Sequence, residues 1–326
     1  MRFCKKLVQW LGAVALLGTL ATAPALAQTD FKMAYALSQD SHYGAGAAAF
    51  VESLKGSGSG YGIEQFPNSA LGGEREVIEG LQLGTIDLAI VSTGAVLNFV
   101  PQAGVFDIPF LFRDLAHARK VLDSQIGQDM LAEFPKHGII ALAWGEQGFR
   151  HLTNNKRPVK EPADIKGLKI RITENPIHLA AFRELGVLAT PMAWPEVQPA
   201  LQQGTIDGQE NPLSVIVSIK LWQLQKYLSL TGHVYGPALV LMSPSAWNGM
   251  SDAEKANFQK AAADSVTSMR QFVDEVERSG IAQLKENGME VNTVDHEAFV
   301  KAVEPVYPKY YKQFGEELVE SIRNTQ

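Results

Sequence analysis

Short segments with strand-like and helix-like patterns of apolar residues follow one another along the chain. Residues 31–37 and 61–66 predict strands, and residues 43–54, which lie between them, predict a helix. The glycine- and serine-rich residues 56–60 predict a surface turn, and the apolar residues 138–143 predict a further strand. This alternation of strands and helices predicts an α/β fold.

The longest predicted helix begins close to residue 251. Ser251 and Glu254 have the spacing of a capping box, and apolar residues continue at helical intervals to about Lys285. A helix of that length is roughly 50 Å long, so it exceeds one domain and could bridge two. Residues 307–323 predict a second amphipathic helix, which ends the chain.

One short sequence occurs twice, at residues 81–87 and 201–207, with only one difference in seven positions. Each copy follows a predicted helix and contains a glycine where a helix C-terminus needs a left-handed backbone. Each copy ends in an aspartate, Asp87 or Asp207, to which we assign capping or turn hydrogen bonds. The repeat predicts two similarly built α/β halves that meet at one cleft.

The segment from residue 168 to residue 212 contains the most informative polar positions. It places Arg171 inside an alternating apolar run that predicts a half-buried strand, and it closes on a polar cluster at residues 209–212. A guanidinium fixed on a strand offers a rigid pair of donors to a carboxylate. An arginine at such a position also occurs in structural ion pairs. The remaining polar residues favour ligand binding.

The N-terminus has the pattern of an export signal. Three basic residues precede an apolar stretch at residues 7–21, and Ala25 and Ala27 form a small-x-small cleavage site. We therefore predict a signal peptide over residues 1–27, cleaved after Ala27, and a periplasmic mature protein. The only cysteine, Cys4, lies in this signal, so the mature chain has no disulfide and no thiol nucleophile.

Length and charge limit the function classes that remain. Cleavage leaves about 299 residues, which is enough for two α/β domains. Removing the three basic residues of the signal changes the formal charge from −6 to −9. That acidity argues against binding to nucleic acid or to an anionic membrane surface.

Motifs of the common enzyme and metal-site classes are absent from the sequence. It has no Gly-x-Ser-x-Gly elbow, no His-Glu-x-x-His and no dinucleotide fingerprint, and its seven histidines show no close ligand spacing. We therefore predict no metal, no cofactor and no enzyme activity. What remains is a set of residues suited to recognising a small anion with several polar groups: Glu74, Glu146, Gln147, Arg150, Arg171, Trp194 and Asn211.

Five segments of the chain together carry a family resemblance. In order, they are residues 66–75, 148–154, 167–171, 190–192 and 207–212. At these segments the chain resembles the DctP-like solute-binding proteins of tripartite ATP-independent periplasmic (TRAP) transporters, over essentially its whole mature length. The resemblance implies a two-domain periplasmic binding protein of the type II-like α/β class, with a hinge and a long helix crossing both domains.

The resemblance also implies roles for individual residues. Arg171 would form the main salt bridge to a ligand carboxylate, assisted by Asn211, with Arg150 in or beside the site. Trp194 would pack on the ligand. Glu74 and Ser92 match two further positions that face the ligand, and the second of these is acidic in the sialic-acid binders of the family. The serine at residue 92 therefore argues against sialic acid.

We predict domain I as residues 28–148 with 237–276, and domain II as residues 149–236 with 277–326. The hinge is expected around Gly148, residues 236–237 and the middle of the long helix at residues 273–277. Two halves that close around a ligand would give the membrane permease a state that it can distinguish from the open one.

The predicted function is that of an extracytoplasmic receptor for a small carboxylate. Arg150 and Arg171 together could hold a C4-dicarboxylate. Glu74, Glu146, Gln147 and His42 could instead bind hydroxyl groups, which favours a sugar acid such as a uronate or an aldonate. The expected partners are the small and large subunits of a TRAP permease, and the receptor itself is expected to be a monomer. A periplasmic enzyme acting on sugar acids is the alternative from a different class.

Overall fold

The computed structural model describes residues 29–326, so the predicted signal peptide lies outside the described residues. The strands of the described chain form one mixed sheet in the order β2-β1-β3-β8-β4-β7-β5-β6, with β9 paired to β8. Their bounds are β1 Thr29–Tyr35, β2 Tyr61–Phe66, β3 Leu88–Ser92, β4 Ile140–Asn154, β5 Lys169–Ile172, β6 Leu188–Pro191, β7 Gly208–Pro212, β8 Tyr227–Met242 and β9 Glu290–Thr293.

Helices pack on both faces of this sheet. Within residues 29–326, none of them combines the length and the hydropathy needed to cross a membrane. Short 3-10 helices occupy Pro101–Asp107, Phe134–His137, Leu221–Gln223 and Glu304–Val306. The α-helices are α1 His42–Gly56, α2 Glu74–Leu83, α3 Thr93–Val96, α4 Leu115–Asp123, α5 Gln125–Leu131, α6 Pro162–Ile165, α7 Pro176–Glu184, α8 Trp194–Gln202, α9 Leu213–Ser218, α10 Pro244–Asn248, α11 Asp252–Glu286, α12 His296–Val303, α13 Tyr307–Phe314 and α14 Glu316–Asn324.

The two halves of the sheet have the same connectivity, as the repeated sequence predicts. On one side β2-β1-β3 are parallel, on the other β6-β5-β7 are parallel, and the antiparallel pair β8–β4 joins them. In the first half, Asp87 accepts a hydrogen bond from the backbone N–H of Lys32 at 2.9 Å. In the second, Asp207 accepts one from the N–H of Lys169, also at 2.9 Å. These bonds join residues 55 and 38 positions apart, so the predicted capping or turn bonds are wrong: each aspartate instead ties its corner to the first strand of its half, β1 or β5.

Strands β4 and β8 run through both halves of the sheet. The strand predicted at residues 138–143 is only the first part of β4, because the chain continues as a strand to Asn154. The pairing with β8 shifts register between Glu146 and Gly148, and Gly148 has a φ of 104°, which favours glycine. This irregularity lies where the hinge is predicted, and the domain boundaries themselves stay a prediction.

The long helix α11 has the predicted start and the predicted length. It covers 35 residues, and Ser251 and Glu254 form the expected capping box. Near its start, Phe258 packs against Phe31 and Phe50 of the first half. Towards its end, Leu284 belongs to the apolar core of the second half. One continuous helix therefore packs against both halves.

The prediction of a single helix over residues 307–323 is wrong. Two helices, α13 and α14, meet at Gly315, whose φ of 86° is incompatible with a continuous α-helix. Residues of this region contact both halves: the Tyr307 hydroxyl donates to the carbonyl of Pro109, and the Tyr310 hydroxyl donates to that of Ile177 at 3.2 Å.

Candidate functional site

A cavity lies where strands of both halves end. Its position follows the rule that open α/β sheets bind ligands beyond the carboxyl ends of their strands. The structure brings together at this cavity most of the predicted site residues, namely Glu74, Ser92, Gln147, Arg150, Arg171, Trp194 and Asn211.

Arg171 is a buried cation without a carboxylate partner. It lies on β5, is only 3% exposed, and both its Nε and its Nη2 donate to the carbonyl of Met192, at 3.0 and 2.7 Å. Its guanidinium lies 5.7 Å from the centre of the Trp194 ring. Among the residues that the structure describes, no carboxylate is in salt-bridge distance of it. Burial lowers the pKa of Arg171 to about 10, so the group remains charged at neutral pH.

Arg150, in contrast, already has an anionic partner. Its Nε donates to Glu210 Oε2 at 2.5 Å and its Nη2 donates to Oε1 at 2.9 Å, and both side chains are buried. His233 Nε2 lies 3.1 Å from the same carboxylate. Burial alone would raise the pKa of Glu210, but Arg150 and His233 lower it below its usual range. The charge of Arg150 is therefore neutralised within the protein.

Glu74 and Ser92 form the polar wall of the first half. Glu74 begins α2, and Ser92 ends β3. The carboxylate accepts two hydrogen bonds from the same serine, from its N–H at 2.7 Å and from its hydroxyl at 2.5 Å. Burial raises the pKa of Glu74, and the bonds from Ser92 oppose that effect. A carboxylate has about four acceptor positions, so Glu74 retains acceptor capacity towards the cavity.

Asn211 and Gln147 complete the polar lining near the hinge region. Asn211 lies on β7, and its amide donates to the side chain of Gln209. Gln147 lies at the register shift of β4, and its amide donates to the carbonyl of Pro237 at 3.3 Å. Both amides are therefore oriented by the protein.

Two residues predicted to be in the site, Glu146 and His42, do not line the cavity. Glu146 precedes Gln147 on a strand, so its side chain points away from the cavity. On that other side, Arg119 donates two hydrogen bonds to the carboxylate of Glu146, at 2.7 and 3.0 Å. His42 is completely buried against Tyr43 and Phe272. Hydroxyl recognition by either residue has no support in this geometry.

Sequence reasoning missed two polar residues of the cavity, Tyr43 and Thr173. Tyr43 lies in the first turn of α1, just after β1, and Thr173 directly follows β5. The signal that could have identified them is their place after parallel strands, at the same edge as Ser92. Over residues 29–326, no group of histidine and acidic residues is arranged to hold a metal ion.

A cavity lined by several polar side chains between two like α/β halves is the form typical of a solute-binding receptor. The sequence profile of the DctP family, described as bacterial extracellular solute-binding protein family 7, matches residues 33–313. The chain belongs to this family. The family consists of solute-binding receptors and not of enzymes.

Relatives of known sequence and structure agree with this assignment. A TRAP periplasmic solute-binding protein from Bordetella, with ligand density interpreted as pantoate, is 72% identical, with a TM-score of 0.90 over 92% of this chain and 100% of that chain. One from Polaromonas sp. JS666, bound to D-erythronate, is 50% identical, with a TM-score of 0.90 over 92% and 99%. A solute-binding protein from Verminephrobacter eiseniae is 49% identical over 93% of this chain and 91% of its own length. The predicted family and the two-domain fold class are confirmed.

His42 has a consequence for stability that can be measured. Histidine titrates near pH 6.5 in an unfolded chain, whereas burial lowers the pKa of His42 to about 3. Between these values the unfolded state binds a proton at His42 and the folded state does not. The free energy of unfolding therefore keeps its full value above pH 6.5 and decreases on acidification. The His42→Phe variant lacks this pH dependence. From pH 7.5 to pH 5, urea denaturation should show the wild type losing roughly 2 kcal/mol more than the variant. Equal losses would contradict the burial of a neutral imidazole.

Proposed function

We propose that the protein is an extracytoplasmic receptor for a short hydroxylated monocarboxylate, which it delivers to a TRAP permease of small and large membrane subunits. The observation that carries this proposal is the buried guanidinium of Arg171, which lacks a carboxylate partner in the described chain. A buried charge is strongly unfavourable unless it is paired. The carboxylate of the ligand is the partner that completes this site.

The charges around the cavity favour one ligand carboxylate over two. Arg150 is neutralised by Glu210, which leaves Arg171 as the cation for the ligand. A second ligand carboxylate would have to lie near Glu74, where like charges repel. The carboxylate of Glu74 can instead accept a hydrogen bond from a hydroxyl group of the ligand. The C4-dicarboxylate alternative therefore lacks its second cationic contact.

The two crystal structures described above support a short ligand. D-erythronate and pantoate each have one carboxylate, a main chain of four carbons and at least two hydroxyl groups. Among sugar acids, we therefore favour a four-carbon aldonate or a similar hydroxy acid over a six-carbon uronate.

Calorimetry with four acids tests the proposal. D-erythronate and pantoate should bind at least roughly tenfold more tightly than succinate and galacturonate, which is a difference of about 1.4 kcal/mol. Tighter binding of succinate would show that the site accepts two carboxylates. Mass spectrometry of the recovered D-erythronate serves as a control, because a receptor returns it unchanged, whereas an enzyme would convert it.

Trp194 should report this binding in its fluorescence. Its ring lines the cavity beside Arg171, whereas the other candidate reporter, Trp144, is buried in the core with its Nε1 donating to Gly127 at 2.9 Å. Addition of D-erythronate is expected to change the intrinsic emission, and Trp194→Phe should remove most of that change. If Trp144→Phe removes it instead, Trp194 does not contact the ligand.

Delivery to the permease rests on export and on closure of the two halves. Export with cleavage after Ala27 places the receptor in the periplasm, and a monomer is sufficient for this role. The domain division given above, with its hinge at the register shift near Gly148, is part of the proposal. A permease that prefers the closed form takes up ligand only from loaded receptors.

A further inference from the structure

The hydroxyl of Tyr43 is a buried polar group that lines the cavity without a hydrogen-bond partner. Tyr43 is 1% exposed, and its hydroxyl makes no hydrogen bond of normal geometry within the described chain, although the carboxylate of Glu74 lies close to it. Buried hydroxyls are almost always hydrogen-bonded, so an unpaired one beside a ligand cavity indicates a bond made to the ligand. The ring itself is fixed, because Tyr43 belongs to the first turn of α1 and packs against His42.

Glu74 supplies a matching acceptor next to this hydroxyl. Burial raises the pKa of Tyr43 well above its usual value, and the charge and acceptor oxygens of Glu74 raise it further, so the hydroxyl keeps its proton and remains a donor. Ser92 holds Glu74 in place through its two hydrogen bonds. The first half therefore presents a fixed donor and a fixed acceptor side by side.

We propose that Tyr43 and Glu74 together recognise one hydroxyl group of the ligand, with Tyr43 donating to the hydroxyl oxygen and that hydroxyl donating to Glu74. This inference rests on the proposed function and assigns its specificity to a residue pair. The substrate class is a monocarboxylate with a hydroxyl on the part of its chain that faces the first half.

An alcohol is the ligand group that satisfies both residues at once. A carboxylate in the same place has no proton to donate to Glu74 and carries a repelling charge. A methyl or methylene group would leave both the Tyr43 donor and Glu74 without a bond from the ligand. A site built around such a pair discriminates strongly against analogues that lack the hydroxyl.

The test compares Tyr43→Phe with a matched control, Tyr235→Phe. Tyr235 is also buried, and its hydroxyl also lacks a partner in the described chain, but it packs against Phe112 and Phe149 and does not line the cavity. Both variants lose one buried hydroxyl and keep the ring. Calorimetry is run with D-erythronate, with pantoate, and with the three derivatives of D-erythronate that each lack one hydroxyl.

Tyr43→Phe should weaken D-erythronate binding by between about tenfold and 100-fold, while Tyr235→Phe changes it by less than about twofold. One deoxy derivative should bind the wild type correspondingly weakly and be insensitive to Tyr43→Phe, which identifies the recognised hydroxyl. Equal affinity of wild type and Tyr43→Phe for D-erythronate would overturn this inference and leave the proposed function standing. If the wild type binds neither D-erythronate nor pantoate, the proposed function and the inference both fail. If Tyr43→Phe does not fold, the wild type alone still tests the inference. Equal affinity of the wild type for all three deoxy derivatives would show that Tyr43 and Glu74 do not recognise one particular hydroxyl.

Discussion

Replacing Arg171 by lysine is expected to weaken the binding of D-erythronate by roughly 2–3 kcal/mol. Lysine keeps the positive charge but loses the planar fork that can hold a carboxylate by two parallel hydrogen bonds. It also loses one of the two bonds by which Nε and Nη2 hold the carbonyl of Met192. Isothermal calorimetry measures the affinity, and thermal unfolding without ligand verifies the fold.

The matched control is Arg183→Lys, the same substitution at an exposed position on α7. This variant should bind D-erythronate as the wild type does. Unchanged affinity of a folded Arg171→Lys variant would refute the assignment of Arg171 as the carboxylate anchor. Arg150→Ala should weaken the binding of a monocarboxylate less than Arg171→Lys does, because the guanidinium of Arg150 is already paired with Glu210.

Replacing Glu210 by glutamine is expected to destabilise the folded protein by about 3–5 kcal/mol, because removal of one partner leaves the other charge of a buried pair uncompensated. The remaining charge is that of Arg150, whose side chain is 6% exposed. The lowered pKa of Glu210 sets the direction of the pH dependence. The ionised Glu210 stabilises the folded protein at pH values above its pKa in the unfolded chain, about 4.3. This stabilisation is lost as the pH falls through the lower pKa of the folded state.

Urea denaturation of both proteins at pH 7 measures this difference. Glu79→Gln is the matched control, because it breaks the exposed pair with Arg75, whose side chains are 59% and 48% exposed. We expect the control to change the unfolding free energy by less than about 0.5 kcal/mol. A Glu210→Gln variant as stable as this control would show that Arg150 does not depend on Glu210.

Much of the fold was predictable because it depends on local signals. The strand at residues 61–66 has the predicted bounds, and the capping box at Ser251 marks the start of α11. The two aspartates of the repeated sequence predict two like corners, which the structure contains. The end of β4 was missed, since its later part, residues 144–154, is polar enough to resemble a loop and is held as a strand by two neighbouring strands.

The site was harder to predict because its contacts join residues distant in sequence. Glu210 and Arg150 are 60 residues apart, so nothing local indicates that one neutralises the other. Glu146 and Gln147 are adjacent and were both assigned to the site, although side chains of consecutive strand residues point in opposite directions. Tyr43 shows no sequence motif, and only the folded structure shows that it lines the same cavity as Glu74 and Ser92.

The two like halves differ at one pair of corresponding positions, and under the proposed function this difference sets the orientation of the ligand. Glu74 and Trp194 are the first residues of α2 and α8, the helices that precede the two corners, so they hold corresponding places in the two halves. The first half has a carboxylate at this position, and the second half has an aromatic ring. A receptor with two identical halves would bind a small organic acid in either of two orientations. If Arg171 is the carboxylate anchor, as proposed, the carboxylate end of the ligand enters the half that contains Arg171, and the ligand binds in a single orientation.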